Sequence, residues 1–398
     1  MLWPDYSDRI YSPTELFLSH LFSIVAGIGR VVNTQSLFHN GLVPPLLGVS
    51  KFPHQKTLRD FLWRFTPENL SSLQSAHDKF RAELFHRLGL SYSAIIDADM
   101  TVLTVFGHQE QAVMGYNPRY HGKRSYAPLI SSEGCKGFSL GMELRAGNLQ
   151  PQPGAWNFLE PIIDKLPSTI ASSRTRTRLD ASFYKGETIQ SLDDKNIGYV
   201  IVARMVPPLK TRMLSARYHE FAQGWEAAEF TYPVTSFSKE HRFIAIRRPK
   251  GLEPEEVQRS FFTFKNYLYR RVLVTNLELT PGAVWRFYRN RGFQELLLRE
   301  FKNSFFMAQI PTRSFWANSA YMEMILWAYD LVLAFQYLCL PEETQHWNIS
   351  TLRREIFSIP ADWVKHGNRN YLRFPKRFPH QDLFTKIQKN IPRVKPLI

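Results

Sequence analysis

At Ser93 this chain stops reading as helices and begins to read as a sheet, and the first strand of that sheet carries charge. The run SAIIDADMTVLTVFG is rich in β-branched residues with partial alternation, which predicts a strand. Asp97 and Asp99 stand two apart in it and therefore share a face. Carboxylates that interrupt a hydrophobic strand are costly to bury without a compensating cation.

The texture beyond it is regular. Strand candidates follow around residues 125–130 and 138–144, then a helix within 151–166. TRTRLDAS alternates until Asp180, a helix covers 187–194, and GYVIVAR reads as a strand. The order β-β-β-α-β-α-β implies the α/β class, a mixed sheet with helices on its faces. From 205 to 272 the rhythm breaks into basic strand-like pieces, EFTYPV, HRFIAIRR and NYLYRR, which read as a β-rich insertion. It separates core segments 91–204 and 273–340, the second opening with VLVTNLEL and continuing to the apolar helix YMEMILWAYDLVLAFQYLCL.

Residues 1–90 read as a helical N-terminal region and 341–398 as a basic C-terminal region. In the first of these, Pro53 and Pro67 bracket the helix TLRDFLWRF. It serves either as a DNA-recognition element or as a packing helix through Leu58, Phe61, Leu62 and Phe65.

A second charged feature lies in WRFYRNRGFQELLLREFK, read as one helix after Pro281 and Gly282. At about 100° per residue, Tyr288, Arg291, Glu295 and Lys302 share an arc of about 60°. Phe293, Leu296, Leu297 and Phe301 cover the other side. One acid flanked by two cations and a phenol suits a site that holds metal and phosphates together. The plain alternative is an amphipathic helix in which Glu295 pairs with Arg291 and Arg299.

Asp97 or Asp99, Asp180 and Glu295 can thus meet at one end of a mixed sheet. Three carboxylates so placed would bind two divalent cations about 3.5–4 Å apart and support in-line attack on phosphorus. Oxygen-only ligands favour Mg²⁺ or Mn²⁺ over Zn²⁺. Taken singly, Asp97 or Asp99 could cap a hairpin or face solvent, and Asp180 could N-cap the next segment.

Four stretches in order carry a resemblance: IDADMTVLTVFGHQEQAVMGYNPRYHGKRSYAPL, RTRLDASFYKGETIQSLDDKNIGYVIVARM, VTNLEL and the Y-x2-R-x3-E-x6-K helix. Together they resemble bacterial insertion-sequence DDE transposases with the Y-R-E-K signature, the transposase DDE domain group 1 type. The resemblance runs from about Ser93 to Lys302, with weaker likeness in both flanks. It implies a ribonuclease-H-like mixed sheet with flanking helices, interrupted by the β-rich insertion, plus helical N- and C-terminal regions. It maps the catalytic and metal-binding acids to Asp99, Asp180 and Glu295, with Asp97 left open as the first ligand. Tyr288, Arg291 and Lys302 match positions that hold transposon-end phosphates. Met100 replaces a usually small or polar residue. Trp225, in the insertion, becomes the candidate for stacking on a flipped nucleotide, or else a packing tryptophan.

Fifty Lys+Arg against 35 Asp+Glu, a formal charge of +15, fit a polyanionic partner with salt-dependent affinity. Arg174, Arg176 and Arg178 alternate before Asp180, either as a guanidinium face or as a solvated edge. Lys123, Arg124, Arg242, Arg247, Arg248, Arg270 and Arg271 are candidates for tracking DNA backbone. His108 and His121 lack partners at metal-ligand spacing and read as structural or DNA-facing.

Cys135 and Cys339 alone make no disulfide framework, and the N-terminal run MLWPDYSDRIYSPTE does not resemble a signal peptide. The apolar stretch around residues 16–28, broken by His20, falls short of the roughly 20 residues of a membrane span. The expectation is a cytoplasmic, nucleoid-associated bacterial enzyme. It would use two Mg²⁺ or Mn²⁺ ions, acting as a homodimer on transposon inverted-repeat ends and target DNA. A catalytically silent former transposase that still binds DNA is the alternative.

Overall fold

Alternation of buried positions explains the central sheet. In the strand Gly198–Val202, Tyr199 and Ile201 join the main core while Val200 and Val202 face a smaller core on the other side. A strand apolar on both faces is buried on both, so helices or further layers must cover each side. The computed structural model describes residues 2–4, 10–149, 154–233, 239–250, 262–264, 266–367 and 369–391.

The large sheet comprises β1 (Ala94–Met100), β2 (Leu129–Glu133), β3 (Ser139–Glu143), β4 (Thr175–Leu179) and β5 (Gly198–Val202). It continues with β6 (His219–Ala222), β7 (Trp225–Pro233), β8 (Glu240–Pro249) and β9 (Tyr267–Thr275). The order across it is β3-β2-β1-β4-β5-β9-β8-β7-β6, and a short strand, Phe262–Phe264, pairs with β9. Pairing is parallel for β1–β4 and β4–β5 and antiparallel elsewhere. Helices α4 (Ala155–Asp164) and α5 (Gly186–Asp194) connect β3 to β4 and β4 to β5. The protein is a mixed α/β chain with a large mixed sheet and helices.

Several expectations shift in detail. The first strand stops at Met100, and residues 125–130, read as one strand, divide between two sheets. Arg124–Tyr126 belongs to a three-stranded sheet with Leu103–Thr104 and Val113–Met114, while β2 starts at Leu129. Pro128 sits at the division, where the missing N–H suits a break rather than a central strand. NYLYRR and VLVTNLEL, read apart, form the single strand β9, and the strands after 205 extend the main sheet. The C-terminal region is not helical throughout, since Asp362–His366 and Arg369–Arg373 pair as a hairpin.

The N-terminal region is helical: α1 (Pro13–Val25), α2 (Gln55–Trp63) and α3 (Pro67–Arg87). Ser12 and Glu15 form a reciprocal capping box ahead of Pro13 at the first helical position. Pro67 likewise opens α3 behind the Thr66 cap rather than ending α2. In α2, Leu58, Phe61 and Leu62 are fully buried, which is the packing reading of that helix.

The run around Glu295 is two helices, not one. α6 (Pro281–Arg289) ends at Asn290, and α7 (Gly292–Asn303) begins after Arg291. Through the joint the amides of Arg291, Phe293 and Gln294 each donate three residues back, to Tyr288, Asn290 and Arg291. Asn290 and Gly292 are weak helix formers, and these tighter turns reset the helix phase. The apolar face therefore differs from the expected one. Leu297, Leu298 and Phe301 are buried, whereas Phe293 and Leu296 are exposed.

Helix α8 (Phe315–Cys339) crosses the interior and is buried along nearly its whole length. It is long and apolar enough to span a membrane, yet here it packs on α1, α2, α3 and β3. Its polar residues are paired. Asp330 accepts from Arg81 Nε at 3.1 Å and from the Ser139 amide at 2.9 Å, and Glu323 lies 2.7 Å from His77 Nδ1. All these groups are buried, so the network ties α3 and β3 to α8.

Asp330→Ala, which strands Arg81 and His77 without that carboxylate, is expected to cost about 3–5 kcal/mol, measured by urea denaturation. The double variant Arg81→Met/Asp330→Leu should recover much of that loss.

Candidate active site

The parallel pair β1–β4 sets two carboxylates side by side. Its register runs Asp97↔Arg178 and Ala98↔Leu179, so the next step brings Asp99 beside Asp180 at the carboxyl ends of both strands. Neighbouring strands lie about 4.8 Å apart. Burial pushes the Asp99 carboxyl up to about 6 against the pull of Arg291, and Asp180 adds to the rise. Asp180 also caps the next turn, its Oδ1 accepting from the Ser182 amide at 3.0 Å. The cap reading and the site reading thus both hold for it.

Glu295 reaches the same place from α7. Gln294, fully buried, anchors that helix to β2: its Nε2 donates to the Ile130 carbonyl at 3.1 Å, and Ser132 Oγ donates to its Oε1. Asp99, Asp180 and Glu295 then line one pocket of about 570 Å³, with Tyr288 and Arg291 on its wall. Among the described residues Glu295 forms no ion pair, so the alternative in which it pairs with Arg291 and Arg299 is not what the structure has. Arg291 instead reaches Asp99 Oδ2 at 3.0 Å and the Ala98 carbonyl at 3.1 Å.

Asp97 and Asp99 part company sharply. Asp97 is fully buried and gripped by Arg178, Nε to Oδ1 at 2.7 Å and Nη2 to Oδ2 at 2.5 Å. Arg178 also donates to the Gly134 carbonyl at 3.2 Å and the Phe287 carbonyl at 3.3 Å. Both Asp97 oxygens are thereby used inside the protein, while Asp99 faces the pocket. Of the three alternating arginines, Arg174 and Arg176 are exposed and Arg178 is an interior group.

Lys302 is outside the pocket lining but within electrostatic reach of it. Burial and nearby Arg119 lower its ammonium pKa, against the pull of Asp99. Tyr288 is buried with Val284 and Trp285 on the smaller core, and burial raises its phenol. Trp225 lines the pocket and packs on Trp285 at 5.6 Å, with the Arg248 guanidinium 5.0 Å from its ring. It therefore both packs and borders the site.

Arg248, Arg270 and Arg271, expected as DNA-backbone contacts, share this wall with Trp285, which the sequence reading did not single out. Trp285 had a signal, being three residues before Tyr288 on the same helix face. Other expected phosphate-tracking arginines are occupied: Arg242 pairs with Glu229 and Arg247 with Glu226.

The donor set suits a hard divalent cation in kind, being all carboxylate oxygen. Its spacing is a separate matter. Among the described residues no group of three or more His, Cys, Asp or Glu is gathered closely enough to hold an ion. Arg291 holds one Asp99 oxygen and Ser182 one Asp180 oxygen. The Asp99 oxygen that Arg291 holds is not open to a cation in this arrangement.

The family described as Transposase DDE domain group 1 matches residues 3–396. The chain belongs to this transposase family. No curated protein sequence matches it. Among solved structures, the cryo-EM structure of a piggyBac transposase synaptic complex with hairpin DNA is similar. Its TM-score is 0.41 at 10% identity, with 81% of this chain and 67% of that chain covered. Asp99 on β1, Asp180 just past β4 and Glu295 on α7 all line the pocket.

Arg178→Met, which leaves Asp97 buried and unpaired, is expected to cost about 3–5 kcal/mol by urea denaturation, and Asp97→Leu/Arg178→Met should restore most of it. A Cβ on Gly134 would lie 2.4 Å from Arg178 Nη2 and 2.7 Å from Ile95 Cγ2. Gly134→Ala should therefore destabilise by about 1–3 kcal/mol, read as a lowered denaturation midpoint.

Proposed function

We propose that this protein is an active DDE transposase, cutting the ends of its own element and joining them to target DNA. The observation that carries the reading is the convergence of Asp99, Asp180 and Glu295 on one pocket from three separate elements. The strand order β3-β2-β1-β4-β5 supports a ribonuclease-H-like core, with 205–272 as its β-rich insertion, 1–90 and 341–398 as flanking regions and 273–340 as the second core segment.

Asp99, Asp180 and Glu295 would hold divalent ions, two Mg²⁺ or Mn²⁺. Such ions, when bound, generate the nucleophile from water or a 3′-hydroxyl and stabilise the leaving oxygen. The chain's own groups position the DNA. Arg291, freed from Asp99, would turn its guanidinium to a phosphate beside the scissile bond, with Tyr288 and Lys302 as its companions on that backbone. Trp225, backed by Trp285, would stack on an unpaired base. Two copies would hold the two ends together, acting on DNA in the bacterial cytoplasm.

A specific observation favours the second reading, a silent former transposase that binds DNA. The Arg291–Asp99 ion pair closes one carboxylate to a cation.

Strand cleavage of labelled DNA bearing the element's own ends separates the two. Metal-dependent nicking should stop with chelator and return with Mg²⁺. In Glu295→Gln cutting should disappear while binding stays within about twofold, since only the metal ligand changes. Binding without metal-dependent cutting in the native chain would sink the active reading. Lys302→Ala should weaken end binding and reduce the slope of log affinity against log salt by about 0.9, the value of one phosphate contact.

A further inference from the structure

Between β1 and β2 the chain leaves the main sheet and builds the small sheet of residues 103–126. This unit is firmly seated. Tyr126 Oη donates to the Glu110 carbonyl at 2.5 Å, and the Glu110 amide donates to the Arg313 carbonyl at 2.9 Å. Asn117 Nδ2 donates to Thr104 Oγ1 at 3.0 Å, and the Tyr120 amide donates to Asn117 Oδ1 at 3.0 Å.

Its outer side is unusual in composition. Phe106 is 76% exposed, Tyr116 68% and Tyr120 45%. Arg119, Lys123 and Arg124 are exposed among them, and none of the three forms an ion pair among the described residues. Glu110 is the single acid of residues 103–126, and its carboxylate accepts from the Phe315 amide at 2.8 Å. Nothing acidic in this unit is left to neutralise the cations.

Both ends of the platform lead somewhere. On one side Arg119 acts electrostatically on Lys302, which in turn feels Asp99. On the other, Phe106 walls a groove of about 410 Å³ that Arg30 and Arg59 of the N-terminal region also line. The platform thus has Lys302 near one side of it and a groove lined by Arg30 and Arg59 on another.

Unpaired cations call for a polyanion, and exposed rings set among them call for flat faces to stack on. Intact duplex offers phosphates but hides its base faces, whereas an opened strand offers both. We infer that the 103–126 platform takes a single, opened DNA strand leading away from the carboxylate pocket. Its bases lie on Phe106, Tyr116 and Tyr120, its phosphates on Arg119, Lys123 and Arg124. This rests on the transposase reading and adds to it the strand state of the bound DNA and the surface that holds it.

The test uses the full chain and fluorescence anisotropy with an oligo-dT of about 20 nucleotides, long enough to cover one binding face, and a duplex of equal length. Tyr116→Ala/Tyr120→Ala should lose about tenfold or more in single-strand affinity, as loss of base stacking does, with duplex affinity little changed. Arg119→Ala/Lys123→Ala/Arg124→Ala should lower the single-strand salt slope by about 2, at about 0.7 per phosphate. All five positions are on the surface, so an unchanged melting temperature is the folding control. Equal losses on both DNAs in the tyrosine variant, or none, would overturn the assignment. So would poly-glutamate competing as well as oligo-dT, which would mark an unselective basic surface.

End cleavage by the native chain is measured in parallel. If it cuts while the tyrosine variant still binds oligo-dT normally, only the platform assignment falls. If the native chain neither cuts nor binds DNA, the transposase reading falls and takes this inference with it.

Discussion

The bidentate Asp97–Arg178 pair is the interaction on which the candidate site depends. It joins β1 to β4 two residues before Asp99 and Asp180, so it holds the register that sets those two carboxylates side by side. Its remaining donors reach Gly134 beyond β2 and Phe287 on α6. One guanidinium therefore holds together the two catalytic-candidate strands, the turn behind them and the helix that carries Tyr288. A buried ion pair adds little net stability compared with apolar groups, but breaking it is costly. Its value lies in register: a slip of one residue between β1 and β4 would leave both charges unmatched in the interior.

Around that pair the pocket is assembled from parts with different tolerances. Asp99 and Asp180 sit at the ends of central strands, where the sheet restricts movement. Glu295 rides on a helix fixed by Gln294 but separated from α6 by the Asn290–Arg291 joint. Arg291 lies at that joint and holds Asp99. The element that would need to move for a cation to bind is thus the one whose helical bonding is already tightened and broken. The rigid half and the adjustable half of the site meet at a single ion pair.

Positive charge is similarly divided. Much of it is structural: Arg178, Arg242 and Arg247 serve interior or inter-strand pairs, and Arg353 donates to the Ile24, Val25 and Ser304 carbonyls. Others are exposed and in no ion pair among the described residues, Arg119, Lys123 and Arg124 among them. Net charge alone could not have distinguished these two populations.

The sequence by itself determined much of the architecture. Alternation and β-branched runs marked the strands that carry Asp99 and Asp180, and apolar runs with proline boundaries marked the helices of the N-terminal region and α8, because both signals are local. It also marked Asp97 or Asp99, Asp180 and Glu295 as the acids to examine, since charge on an apolar strand or on one stripe of a helix is visible without a structure. Only tertiary structure parted Asp97 from Asp99, placing the first on Arg178 and the second on the pocket. The two share residue type, strand and face, and they differ only in that Arg178 arrives opposite Asp97 from a strand about 80 residues away (separation 81). The partner of Arg291, the break at Asn290 and the joining of Trp225 to Trp285 were likewise invisible. Helix periodicity assumes an unbroken helix, and contacts across hundreds of residues follow from packing, which no local pattern encodes.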